Sequence, residues 1–123
     1  MNNKNTNVIY FTDAVYGQDF MFVFAKSQDK FCEIVKEELN IELGNAQADG
    51  EFCVLPVSRK HKSIAVIWSS NKQSSLIHEC LHACSYVLRN RNILLSSIEA
   101  EEAYAYYLSY IWRTIKEKIK LVN

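Results

Sequence analysis

An excess of charge of one sign is missing from this chain. Its 14 Lys and Arg balance 14 Asp and Glu. Composition therefore offers no broad basic face for a phosphate backbone, and nucleic acid is not an expected partner. Long apolar runs are missing too. The longest fall far short of the roughly 20 residues that cross a bilayer, so no membrane partner is expected. The opening stretch, Met1-Asn2-Asn3-Lys4-Asn5-Thr6-Asn7, is polar throughout and lacks the apolar segment of a secretory signal. One proline and three glycines leave no linker, and no repeat or low-complexity segment divides the chain. Residues 1–123 are expected to form one domain, with 1–7 disordered because they offer nothing to bury. Without a secretory signal, Cys32, Cys53, Cys80 and Cys84 read as reduced thiols of a cytoplasmic protein, not as a disulfide framework.

Apolar patterning, by contrast, is plentiful. Hydrophobic residues make up 49% of the chain, enough for a core, though a small one. A bound metal would help to hold so small a domain together. Residues 8–11 suggest a short strand. Phe20-Met21-Phe22-Val23-Phe24 is a solid apolar run within a strand over 19–25. Phe31, Ile34, Val35 and Leu39 recur at helical spacing, which predicts a helix over 27–39 with Ser27 as N-cap. Residues 44–50 read as a loop. Strands over 51–57 and 63–68 flank a basic turn, Ser58-Arg59-Lys60-His61-Lys62, and look like a hairpin. Pro56 places the first of these at a sheet edge or at its own end. Helices follow over about 74–89 and from Ser96 or Ser97 to about Lys120. Ser96-Ser97-Ile98-Glu99 is a capping-box pattern if Ser96 is the N-cap. The fold class expected is α+β: a small, mostly antiparallel sheet with a helix, then two helices in sequence.

The chemistry lies in His78-Glu79-Cys80-Leu81-His82. On a helix, histidines four residues apart share one face, one turn apart. That spacing lets two nitrogens bind one tetrahedral Zn²⁺. Glu79 follows the first His, and its carboxylate can reach a metal-activated water and take its proton as general base. With three histidines in the chain, random placement gives such a motif in roughly half a percent of cases. A catalytic zinc needs a third protein ligand and an open fourth position. His61 lies in the basic turn, where a solvated residue is the better reading. The remaining candidates are Glu99, Glu101 and Glu102 at the start of the last helix. Leu108, Ile111, Trp112, Ile115 and Ile119 define the expected core stripe of that helix. Stepping back along it puts Glu101 nearest the stripe, Glu102 on its flank and Glu99 opposite, as a solvated first-turn acid.

Other features carry plainer readings. Cys80 and Cys84 lie off the His face and suit buried structural thiols. Tyr106, one turn after Glu102, could place a hydroxyl near an oxyanion or substrate, or pack at the core's rim. Arg113, Lys116, Lys118 and Lys120 complement a helix C-terminus.

The motif followed by a glutamate on the next helix resembles the gluzincin branch of the zincins, the thermolysin-like metallopeptidases. More closely, three segments resemble small phage and prophage proteins described as metallopeptidases. These are Ala65-Val66-Ile67-Trp68, Leu76-Ile77-His78-Glu79-Cys80-Leu81-His82-Ala83 and Glu101-Glu102-Ala103-Tyr104-Ala105-Tyr106. The resemblance covers roughly the second half of the chain. It implies a minimal zincin-like domain and a third ligand about twenty residues after the second His, which is Glu102; Glu101 stays second on the helical-face argument. It also implies that the strand over 64–68 lies at the sheet edge and can pair with an extended substrate, although the residues suit a plain core strand equally well, and, for a phage protein, a host-cell cytoplasmic location. The chain departs from the thermolysin-like pattern in carrying Tyr106 where those enzymes have an Asp. It has no residues for their helical second domain. The expected function is a Zn²⁺-dependent hydrolase, a peptidase, acting on a peptide or protein substrate. The alternative is a non-catalytic, zinc-stabilised phage protein that binds a host or viral protein.

Overall fold

The computed structural model describes residues 7–44, 47–57, 62–70 and 72–122. The basic turn at 58–61, including His61, and residues 1–6 of the polar opening lie outside that set. Asn7 lies within it, and its carbonyl accepts from the Phe24 N–H at 2.8 Å. Element order is β1 (Val8–Thr12), β2 (Asp19–Phe24), α1 (Gln28–Leu39), β3 (Gly50–Val57), β4 (Lys62–Ser69), α2 (Gln73–Arg89) and α3 (Ile98–Val122). The fold is α+β, with three helices on a four-stranded mixed sheet of order β1-β2-β4-β3. The β1–β2 and β3–β4 pairs are antiparallel, whereas β2 and β4 run parallel.

Strand alternation sorts the core into two layers. Phe20 and Phe22 of β2, with Ala65 and Ile67 of β4, face α2 and α3. Met21 and Val23, with Ile64, Val66 and Trp68, face α1. Because helices cover both faces, the central strands are apolar without interruption, which is why 20–24 reads as a solid run. Trp68 is fully buried. Its ring stacks on Phe31 at 5.1 Å and its indole N–H donates to the Ala25 carbonyl at 2.9 Å. Burial of each such side chain stabilises the fold by about 1.5–3 kcal/mol.

The sheet order corrects one expectation. β4 lies between β2 and β3, with both edges hydrogen-bonded, so it cannot receive a substrate strand. The edge next to it is β3, where Pro56 sits as its missing N–H requires.

Helix ends follow local chemistry. The Ser27 hydroxyl caps α1 by accepting from the Lys30 N–H at 3.2 Å, and Asn40 closes that helix in the left-handed region (φ 57°). The cap of α3 is Ser97, not Ser96: its hydroxyl accepts from the Ala100 N–H at 3.1 Å and its carbonyl from the Glu101 N–H. The capping box expected on Ser96 does not form, because the third helical residue after Ser97 is Ala100. Among the described residues, no helix is long and apolar enough to cross a membrane.

Candidate metal centre

Helix α2 buries Leu76, Cys80, Ala83, Cys84, Val87 and Leu88 against the sheet and α3. Its opposite stripe, His78, His82, Ser85 and Arg89, is exposed or half-exposed. Amphipathic patterning alone thus turns both histidines outward on one face. Their Nε2 atoms stand 3.2 Å apart, with ring centroids at 4.8 Å and planes at 70°. Two imidazole nitrogens bound to one tetrahedral zinc at about 2.0–2.1 Å stand roughly 3.3 Å apart. The pair therefore already has the separation that a single zinc imposes. Without metal, one ring donates its Nε2–H to the other.

Glu79 lies about 80° around α2 from the histidine pair, on the flank that meets the sheet, and is only 8% exposed. It lies against the start of β3, where Gly50 leaves room for it. A Cβ on Gly50 would stand 3.0 Å from Glu79 Cγ, 3.1 Å from Oε2 and 3.1 Å from the Trp68 carbonyl. Burial holds the Glu79 carboxyl above its usual range; His78 and His82 pull it down and Glu51 pushes it further up. A carboxyl raised in this way is a better proton acceptor than a solvated one. Glu51 itself is held by Gln28, whose amide donates to Oε1 at 2.6 Å.

The third ligand is not assembled. Among the described residues no group of three or more His, Cys, Asp or Glu converges as a metal site. Glu99, Glu101 and Glu102 are all exposed. The reason lies in the stripe that α3 buries. Tyr104, Tyr107, Ile111 and Ile115 are buried, while Leu108, Trp112 and Ile119 are only partly so. The tyrosines enter the core because their hydroxyls are satisfied there: Tyr104 donates to the Ile93 carbonyl and Tyr107 to Asp13 Oδ2, both at 2.8 Å. Their inclusion rotates the stripe, so that Glu102 lies nearly opposite it, not on its flank, and Glu101 about 75° away. Tyr106 is 74% exposed, so it stands in solvent and not at the core's rim.

The cysteines do not join the pair. All four are free, and Cys80 and Cys84 are fully buried. Burial raises the Cys80 thiol to about 12 and the Cys84 thiol to about 11, far from the thiolate form that a metal takes. The sequence reading missed Gly50, whose contact with Glu79 crosses from β3 to α2, and no local signal marks an isolated glycine at a strand start. No family model, curated protein or solved structure matches the chain.

Proposed function

We propose that the chain is a zinc-dependent metallohydrolase that cleaves peptide bonds in the cytoplasm. The observation that carries this reading is the 3.2 Å approach of the His78 and His82 Nε2 atoms, one residue from a buried, proton-accepting Glu79. His78 and His82 would hold the metal. Glu102, by the twenty-residue interval, or Glu101, which lies closer to the buried stripe, would complete the ligand set. When bound, zinc polarises a carbonyl and acidifies water. Glu79 would take the proton from the attacking water and pass it to the leaving amine. An extended substrate would lie along the open edge of β3, whose first residue contacts Glu79.

The second reading is a non-catalytic, zinc-stabilised module that binds a host or viral protein. It draws on the exposed Leu81, Leu94 and Leu95 near the pair. Metal analysis and peptide-library cleavage with matched variants separate the two. About one zinc per chain is expected, lost in His78→Ala and in His82→Ala. The more damaging of Glu102→Ala and Glu101→Ala identifies the third ligand. Glu79→Gln should keep its zinc and lower cleavage by ~10²–10⁴-fold. Full zinc occupancy in both histidine variants would refute the metal site. Equal cleavage by wild type and Glu79→Gln would refute the enzyme.

A further inference from the structure

A hollow of about 190 Å³ opens between one end of the sheet and the helices α2 and α3, and its lining includes neither histidine of the pair. Strand alternation explains why it is there. Toward α2 and α3, β4 presents Ala65, Ile67 and then Ser69. Ser69 pairs with Phe24, the last residue of β2. Its small side chain leaves unfilled the space that another apolar residue would occupy. Ser69 is buried, and its hydroxyl donates to the Lys72 carbonyl at 3.2 Å, which holds the start of α2 beside the gap. Phe22 and Leu76 are buried and fix two walls to the core. Phe24 and Ile119, both partly buried, complete the apolar lining.

The rim is cationic. Among the described residues, Lys72 and Lys116 line the hollow and no carboxylate does. Lys116 is half-buried, with its ammonium 5.2 Å from the centre of the Trp112 ring. Among the described residues it joins no ion pair. Lys72 pairs with Asp49 at 3.0 Å, but the two side chains are 64% and 63% exposed. A pair so exposed contributes little and can be exchanged for another carboxylate.

Size and charge together define the occupant. The volume falls below the roughly 300–1,000 Å³ of drug-sized ligand sites, so it suits one ring or one branched chain. Ammonium groups in contact with water hold a bare anion weakly, because water and salt compete for both charges. The apolar walls must therefore supply most of the affinity, and the two ammoniums select the end group. An amine would find no acidic partner in the lining, so a free amino acid fits worse than an acid without one.

We infer that this hollow binds a small carboxylate with an apolar body, of the arylalkanoate or branched alkanoate class. The body lies against Phe22, Phe24, Leu76 and Ile119, and the carboxylate lies between Lys72 and Lys116. The site is separate from the histidine pair and needs no metal, so it stands whether or not His78 and His82 hold zinc.

Titration of the full chain with 3-phenylpropanoate, followed by calorimetry and by NMR of the methyl groups, tests this. The Leu76 and Ile119 methyl signals should shift, and equally so with zinc or with chelator present. The amide of the same acid lacks the charge, and acetate lacks the ring; each should bind about tenfold more weakly or worse. Neither 3-phenylpropylamine nor inorganic phosphate should displace the acid. Lys116→Met should remove most of the preference for acid over amide, and Lys116→Arg should keep it. Position 116 is only half-buried on α3, and Met preserves most of the apolar stem, so this variant should fold. The inference is overturned if the acid does not bind, if those methyl signals stay in place, or if the amide binds as tightly. It is also overturned if acetate or phosphate binds as tightly, which would leave only a charged patch. Binding that requires zinc would move the carboxylate to the histidines, and an unchanged preference in Lys116→Met would remove the lysine from the site.

Discussion

A methyl group at residue 50 would meet Glu79 Cγ at 3.0 Å and the Trp68 carbonyl at 3.1 Å. The first neighbour is a side chain that can swing, whereas the second is backbone in a paired strand. Gly50→Ala should therefore push Glu79 out of place and strain the start of β3, costing about 1–3 kcal/mol of stability. Misplacing a catalytic group by about 1 Å can cost ~10²-fold in rate. The expected result is a fall of that order in peptide cleavage with zinc content unchanged, since His78 and His82 lie on the exposed face of α2, outside this contact. Kinetics and metal analysis on the same sample check it. Unchanged cleavage would mean that Glu79 is not held by this contact.

Helices show how little separates a correct boundary from a correct cap. The periodicity of α3 is strong enough to predict the element, but Ser96 and Ser97 are both plausible caps by composition. Geometry selects Ser97, whose hydroxyl meets the Ala100 N–H. Ser97→Ala should lower stability by about 1 kcal/mol, and Ser96→Ala should stay within about 0.5 kcal/mol of wild type. Urea denaturation of both variants measures this, and equal effects would contradict the assigned cap. The sheet poses the same problem one level up. Residues 63–68 and 51–57 both read as strands, yet only the pairing of β4 with both β2 and β3 decides which of them is an edge.

For the molecule as a whole, a metal that binds the folded chain alone stabilises it by mass action. At a free zinc concentration 100 times the dissociation constant the gain is about 2.7 kcal/mol. For a domain of this size that raises the melting temperature by roughly 10 °C. Thermal denaturation with zinc and with chelator should show this difference in the wild type, and His82→Ala should abolish it. A wild type indifferent to chelation after its zinc has demonstrably left would show that the site contributes little to stability.

Hydrophobic period and helix spacing are local properties, so the sequence by itself determined seven elements close to their observed ends. For the same reason it determined that His78 and His82 share a face and that Cys80 and Cys84 point into the core. The tertiary structure alone decided what depends on neighbours distant in the chain. It set β4 inside the sheet and β3 at the edge, through strand pairing that no single strand encodes. It turned Tyr104 and Tyr107 inward, through hydroxyl partners at Ile93 and Asp13, and so left Glu101 and Glu102 in solvent. It also brought Gly50 against Glu79 and opened the hollow between Lys72 and Lys116. Contacts of that kind depend on how elements pack, and periodicity specifies which face of an element is buried but not what it is buried against.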